Sequence, residues 1–532
     1  MIQRLIIHNF KGIKVADISF NTFKNIIVGN NGVGKSTIIE ALSLALGYGL
    51  NKLEVTPYLF HASAVEQFQI DKIPPVITIE VIFDNKKDEF SGTNNTLHSL
   101  LRGLQLKISF DDEAYSEMYE LEKETCIHIP CEYYKIERNW FSDKPVRQLL
   151  IPYYVQLVDS SSSYFNSSSN QYIAHLLRKY IGENDFTKIK SSLRYLKQGF
   201  EKQQNVTDIN TRLKQERKNL EVSIDITSKT ILRDILCPFL DNIPIEQIGA
   251  GELCVLKTML SIDKNHQIDK PKIVIIEEPE SHLSHTKMYE LISQIEDNIS
   301  SEKTQLIITT HNNFIANKLD LSNLLLIENE EGKIITQKIH NNDKKNTFKF
   351  FTKVSNYPTL RLLLCKSAIL VEGPTDEMLL TYYYHRQYGR HPFDDNIEVI
   401  SVEGVGFKEY VNLVSLFQKK IAVITDNDGM NLEELKKQRG LVDLPNNIHI
   451  YTEDNTSLKT LEPSFVRKNI GKIKEISKAV RVQQKLDDTE DDLVTFMESN
   501  KTEWAFRLLN RADELDFAAP DYIINAVNWI RE

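Results

Sequence analysis

The sequence predicts an α/β fold in two successive series, the first interrupted by a helical insertion. Three observations carry this. An apolar strand runs into Gly29–Ser36 and then into a helix; a second apolar strand, Ile273–Ile276, ends on acids; and fresh strand-like segments begin beyond residue 361. The 532 residues are 41% hydrophobic and 26% charged, which excludes wholesale disorder and a membrane-spanning bundle. At about 150 residues per domain the length predicts three or four compact units. No apolar stretch approaches the roughly 18 residues of a transmembrane helix. Met1 leads into strand-like Ile2–Ile7 rather than a signal peptide, so a cytoplasmic protein without membrane association is expected.

Taken in order, residues 2–9 and 24–28 read as strands. The helix after Gly34 carries Ile38, Ile39, Ala41, Leu42, Leu44, Ala45 and Leu46 around most of its surface, which predicts burial. The β-rich runs Val76–Phe83, Leu104–Phe110 and Gln148–Val158 lack the helix spacing of a parallel sheet and predict an antiparallel lobe. The serine-rich stretch 159–170 reads as a flexible connection. Ile189, Leu193, Leu196 and Phe200 then recur at helical spacing, after which Ile273–Ile276, a helix over Thr286–Ile299 and Gln305–Thr309 restore the α/β rhythm. These shifts divide the chain into an interrupted first domain over 1–165 and 233–345, a helical insertion over 166–232, a polar linker over 346–360 and a last domain over 361–532. Candidate strands of the last domain are Ala368–Val371, Ile397–Val402, Ala422–Thr425 and Ile448–Tyr451.

Gly29-Asn30-Asn31-Gly32-Val33-Gly34-Lys35-Ser36, followed by Thr37, satisfies the phosphate-loop pattern in its strand–loop–helix context. Backbone N–H groups of such a loop point at phosphates, Lys35 would reach the β- and γ-phosphates of ATP, and Ser36 would ligate Mg²⁺. Glu277, at the end of its strand, stands where an Asp usually meets the Mg²⁺ shell. Glu278 would polarise the attacking water, and His311, closing another strand, would sense the γ-phosphate. Gly249-Ala250-Gly251-Glu252 opens an apolar helix and resembles the ABC-type signature segment, which implies that Gly251 completes a partner subunit's nucleotide site. It departs from the usual Ser-Gly-Gly-Gln.

A second carboxylate centre follows. Glu372-Gly373-Pro374-Thr375-Asp376 ends one strand and starts a helix, and Asp426-Asn427-Asp428-Gly429 ends another. In extended chain alternate residues face the same way, so Asp426 and Asp428 are expected to converge and to need protons or cations between them. Hard oxygen ligands of this kind suit Mg²⁺ or Mn²⁺. This pair of elements resembles the Toprim fold, and Toprim behind an interrupted ABC-type ATPase is the arrangement of the OLD (overcoming lysogenization defect) nucleases. The resemblance implies metal ligation by Glu372, Asp376, Asp426, Asp428 and Glu462, the last in Thr460-Leu461-Glu462-Pro463. It also implies a transition-state lysine at Lys501. DNA as substrate, ATP and Mg²⁺ or Mn²⁺ as cofactors, a homodimer or higher homo-oligomer built on the insertion, an anti-phage setting and a helicase or reverse-transcriptase partner are likewise implied.

Other readings stay open at this point. An ATP-driven DNA clamp of the SMC type would insert hundreds of heptad residues where about 240 separate Lys35 from Glu277. A topoisomerase would form a tyrosyl adduct, and a primase often carries a zinc module. Cys126, Cys131, Cys237, Cys254 and Cys365 form an odd, scattered set that fits reduced thiols. Cys126-x-His128-x-x-Cys131 offers at most three ligands in strand-like context. The net charge of −10 confines nucleic-acid contact to a local patch, for which the basic stretch Val466–Arg481 is the candidate, with a solvated helix face as its equal. The acidic run 487–492 reads as an exposed loop and Gly404-x-Gly406 as a tight turn.

Overall fold

The structure, a computed structural model, describes the chain apart from residues 48, 51–52, 85–87, 148–150, 160–167, 217–219, 225–238, 263–270, 300–302, 340–344, 355–356, 403–405, 418, 482–488 and 513. Most of the serine-rich connection, Cys237, Gly404, Asp487 and Asp488 lie outside the described residues. The chain forms two compact units, Met1–His311 with Ile327–Gln337, and Asn312–Leu326 with Lys338–Glu532.

The first unit is organised on a mixed sheet. Its strands are β1 (Ile2–Phe10), β2 (Ile13–Ser19), β3 (Lys24–Val28), β4 (Ile77–Phe83), β5 (Ser91–Gly92), β6 (Leu101–Phe110), β7 (Tyr134–Trp140) and β8 (Tyr154–Asp159). A short hairpin, β9 (Phe239–Leu240) and β10 (Ile243–Pro244), stands apart, and β11 (Lys272–Glu277), β12 (Thr304–Thr309), β13 (Leu324–Glu330) and β14 (Lys333–Lys338) complete the set. The spatial order is β5-β6-β4-β1-β2-β14-β13-β3-β12-β11-β8, with β7 paired to β6. β1, β4, β6 and β7 pair antiparallel, as expected of the lobe, although helices Ala62–Asp71 and Asp112–Glu122 lie between them in sequence. β3, β12, β11 and β8 are parallel. Ile273–Ile276 and Leu306–Ile308 are fully buried, the near-continuous apolar run of a strand covered on both faces.

The 148–158 run departs from expectation. Its strand, β8, belongs not to the antiparallel lobe but to the parallel edge, in register with β11 from Lys272↔Tyr154 to Glu277↔Asp159. Sequence distance hid this, because its partner lies more than a hundred residues away. The segment around Cys126–Ile129 is a turn region rather than a strand, with Cys126 Sγ 2.9 Å from the His128 carbonyl.

The insertion forms two helices, Ser168–Glu201 and Gln204–Glu216. On the first, Tyr195 and Leu196 are 65% and 66% exposed. The stretch 346–360, read as a linker, instead carries the helix Lys345–Lys353. Phe348 and Phe351 are buried there, and Thr347 Oγ1 donates to Glu409 at 2.6 Å, so apolar burial overrides the polar composition.

The second unit holds a four-stranded parallel sheet, β15 (Ser367–Val371), β16 (Ile397–Ser401), β17 (Lys420–Ile424) and β18 (Ile448–Tyr451), in the order β16-β15-β17-β18. Ile369, Val371, Ala422 and Ile424 pack with Phe465, Met497 and Trp504 from two helices, Leu461–Lys468 and Glu490–Leu509, so one core fixes the strand ends and those helices together.

In the first unit, buried Gln305 ties β12 to the chain's first strand. Its Oε1 accepts the Ile2 N–H at 2.9 Å, and its Nε2 donates to the Ile2 and Asn21 carbonyls, both at 2.8 Å. Gln305→Ala removes all three bonds, leaving the Asn21 carbonyl only the Asn25 Nδ2 donor, and should cost about 2 kcal/mol. Thermal unfolding checks this; an unchanged midpoint would contradict the bracing role.

Candidate functional site

The parallel strands of the first unit bring three chain segments to one edge. β3 runs into the 29–36 loop, β11 ends on Glu277 and β12 on Thr309, with Glu277 in register with Thr309 and Thr309 with Ile27. The loop needs its glycines. A Cβ on Gly29 would come within 2.7 Å of the Ile327 carbonyl, and Gly32 and Gly34 adopt φ of 78° and 105°. Gly34 then caps the helix Lys35–Ala45, whose first N–H groups face the loop. Asn30, Asn31, Gly32 and Ser36 are exposed, and Val33 and Thr37 half-buried. Asn329 of β13 braces the loop by donating to the Val33 carbonyl at 3.4 Å.

Lys35 is buried, and its Nζ donates to the carbonyls of Gly29 and Asn30, both at 3.0 Å. Burial lowers its pKa, while Glu278, Glu280 and Glu277 pull it back up, which places all three acids within electrostatic reach of the loop. Glu278 has a left-handed φ of 38°, a strained conformation for a non-glycine residue. Its N–H is held by the Thr309 carbonyl at 3.1 Å and by Thr309 Oγ1 at 3.2 Å. Its Oε1 lies 3.2 Å from His311 Nε2. Sequence reasoning missed the role of Glu280, which accepts the His311 N–H at 2.6 Å and the Thr310 hydroxyl at 2.8 Å. The fit to a bound nucleotide rests on this glycine cradle with a buried lysine and acids beside it. Gly251 is the second residue of the helix Ala250–Ile262; among the described residues no hydrogen bond ties it to the loop.

The second unit repeats the principle with acids alone. Glu372 follows β15. Asp376 sits in the first turn of the helix Pro374–Tyr388, where its Oδ2 accepts the Gly373 N–H at 3.1 Å, so it is a helix cap as well as a cluster member. Glu462 opens the helix Leu461–Lys468. Burial, then the nearby Glu372 carboxylate, pushes Asp376 up to about 7 against its Gly373 hydrogen bond, with Glu462 adding to the rise. Burial, then Glu372, Asp376, Glu462 and Asp428, pushes Asp426 up to about 8. Five carboxylates from separate stretches therefore feel one another. They do not form a finished ligand shell: among the described residues no group of three His, Cys, Asp or Glu stands ready to hold an ion.

The reason is visible in the Asp426–Asp428 turn, which corrects the expected strand alternation. β17 stops at Ile424. Asn427, fully buried, donates to the Glu453 carbonyl at 2.8 Å and the Asn455 carbonyl at 3.1 Å, and Asp428 turns to φ 53° with its N–H on the Lys459 carbonyl. Asp428 is thereby exposed while Asp426 is half-buried. Glu372 Oε1 accepts the Thr425 hydroxyl and, at 3.1 Å, the Asp426 N–H. Arg439, unnoticed in the sequence, sits at 2.8 Å from Glu372 Oε1 and 2.9 Å from Asp428 Oδ2. A guanidinium bridging two carboxylates stands in for a cation, and this donor set fits a hard divalent ion.

Lys501 is exposed and interrupts the helix Glu490–Leu509 with φ 27° and ψ −117°; among the described residues its side chain makes no hydrogen bond or ion pair. Trp504, one turn later, is fully buried and anchors the far side of the kink. The basic stretch is less free than its composition suggests. Arg467 faces Glu490 at 3.8 Å, Lys468 Asp521 at 2.5 Å and Lys472 Asp516 at 2.6 Å, and Arg481 donates to the Asp492 carbonyl at 2.6 Å.

Residues 24–317 match the family described as "AAA domain, putative AbiEii toxin, Type IV TA system", and residues 363–428 match "Overcoming lysogenization defect protein-like, TOPRIM domain". Endonuclease GajA of Bacillus cereus strain HuB5-5 is 25% identical over 435 residues, covering 72% of this chain and 60% of that protein. Endonuclease GajA of strain VD045 is 20% identical, covering 83% and 77%. The Escherichia coli protein named "Retron Ec83 probable ATPase" is 22% identical, covering 61% and 70%. The chain thus spans less than two thirds of the length of the first of these relatives. The phosphate loop and its acids lie inside the first match, and Glu372, Asp376, Asp426 and Asp428 inside the second: the chain belongs to this AAA-domain ATPase family and carries an OLD-like TOPRIM domain behind it.

Proposed function

We propose that this chain is a divalent-metal-dependent DNA endonuclease whose ATPase unit controls cleavage, acting as a homodimer in anti-phage defence. The observation that carries the reading is the crowding of Glu372, Asp376, Asp426, Asp428 and Glu462 at the carboxyl ends of a parallel sheet, where burial and the neighbouring acids raise the proton affinity of Asp376 and Asp426. The named endonuclease relatives support DNA as substrate. The retron relative, and a Septu protein PtuA of Bacillus mycoides that is 24% identical over 398 residues, support the defence setting, in which a helicase or reverse-transcriptase partner has a place.

Those five acids would hold Mg²⁺ or Mn²⁺, which when bound supplies Lewis-acid polarisation of the phosphate and a more acidic water. Lys501, held at a strained kink, would neutralise charge building on the phosphate. In the first unit Gly29–Thr37 would bind ATP, with Glu277 beside its metal. Glu278 would orient the attacking water and His311 would hold Glu278 in place. Gly251 would meet the partner subunit's nucleotide. The exposed Tyr195 and Leu196 on the insertion helix support pairing of two chains through that element. No described helix is long and apolar enough to cross a membrane.

Cleavage of supercoiled DNA with Mn²⁺ tests the division of labour. Asp426→Ala should abolish cleavage while ATP binding persists, Lys501→Ala should slow it roughly 100-fold, and Lys35→Ala should abolish ATP binding and remove the effect of nucleotide on cleavage. Cleavage that survives loss of Asp426 would refute the site.

The proton affinities give a second test. Asp376 and Asp426 titrate near 7 and 8 when folded and near the ordinary carboxylate value when unfolded. The folded state therefore binds more protons between about pH 4 and 8, and metal-free stability falls as pH rises through that window. In EDTA the unfolding midpoint should drop by several degrees between pH 6.5 and 9, less so in Asp426→Asn, and saturating Mn²⁺ at pH 9 should restore the parent protein but not the variant. Parallel profiles would contradict the coupling.

Leu196→Asp should shift the protein from dimer to monomer in light-scattering chromatography; an unchanged mass would move the interface elsewhere.

A further inference from the structure

Arg439 is the last residue of the helix Leu432–Arg439, just before Gly440, whose φ of 64° ends the helix. A cation there is favoured by the negative end of the helix dipole. Its Nη2 lies 2.8 Å from Glu372 Oε1, 2.9 Å from Asp428 Oδ2 and 3.5 Å from the Asp426 carbonyl oxygen. One nitrogen thus bridges acids from two different strand ends, the relation that a shared cation has to its ligands. The side chain is only 22% exposed, its centre lies 5.7 Å from the Phe407 ring, and its Nε is buried without a hydrogen-bond partner among the described residues. It is a held group rather than a roaming surface arginine.

We propose that Arg439 is the resident counter-ion of the acid cluster, holding Glu372 and Asp428 until a divalent cation displaces it. The inference rests on reading that cluster as a metal site. A dication and a guanidinium cannot draw on the same two oxygens without repelling each other, so one must give way. Arg439 therefore stabilises the metal-free centre and weakens metal affinity at the same time. Once released it is a planar, permanently charged donor beside the cluster, a form suited to a phosphodiester oxygen. A purely structural arginine would behave differently, since its loss would disorder the acids and weaken metal binding.

The test is titration of the full chain with Mn²⁺ alone, followed by calorimetry and by the electron paramagnetic resonance signal of free Mn²⁺. Arg439→Gln should bind Mn²⁺ roughly tenfold more tightly than the parent. Its metal-free unfolding midpoint should be lower, and its gain on adding Mn²⁺ larger. If Arg439→Gln does not fold, Arg439→Lys, too short to span both carboxylates, should bind about threefold more tightly. Affinity equal to or weaker than that of the parent overturns the proposal. Asp426→Ala separates this from the underlying reading: if it loses Mn²⁺ binding while the Arg439 variants match the parent, only the counter-ion role fails. If Asp426→Ala binds Mn²⁺ as the parent does, the metal site itself is refuted.

Discussion

Negative charge gathered at the carboxyl ends of parallel strands is the constraint on which the rest of the structure depends. Several carboxylates in a partly buried space repel one another, and the fold tolerates them only through protons, internal cations or bound ones. In the second unit the tension appears as Asp376 and Asp426 holding protons near neutrality and as Arg439 bridging Glu372 and Asp428. In the first unit Lys35 plays the balancing role for Glu277, Glu278 and Glu280.

Both scaffolds pay for this crowding with apolar burial. β11 and β12 are buried along their central residues, so their ends are placed rigidly and Glu277 and Thr309 fall in register. The second core joins β15 and β17 to the helices carrying Asp376, Glu462 and Lys501 through Val371, Ile424, Leu379, Phe465 and Trp504. Some of the positions that break local rules lie in these sites. Glu278, Asp428 and Lys501 all take positive φ, and each belongs to the candidate machinery. Strain of this kind persists only where neighbours over-determine it, as Thr309 does for Glu278 and Asn427 for the Asp426–Asp428 turn.

Much of this was legible from the residues alone. The phosphate loop, the acid-ended strands and the second α/β series announce themselves because each is a local pattern, a run of apolar residues followed by a chemically costly one. What escaped is non-local. β8 joins the parallel edge through a partner remote in sequence, and the 346–360 stretch buries Phe348 and Phe351 in spite of its polar composition. Strand alternation failed for Asp426 and Asp428 because buried Asn427 ends the strand early. Arg439 had no sequence signal, being one of several basic residues at the end of a charged helix, and Glu280 was visible in Glu-Glu-Pro-Glu without any hint that it clamps His311.

Whether the second-unit acids share a metal ion can be read by anomalous diffraction at the manganese edge from crystals of the full chain grown with Mn²⁺. A peak bounded by the carboxylates of Glu372, Asp376, Asp426, Asp428 and Glu462, with the Arg439 guanidinium moved off Glu372, is the predicted result. Manganese elsewhere, or none beside Asp426 with Arg439 still bridging, would contradict it.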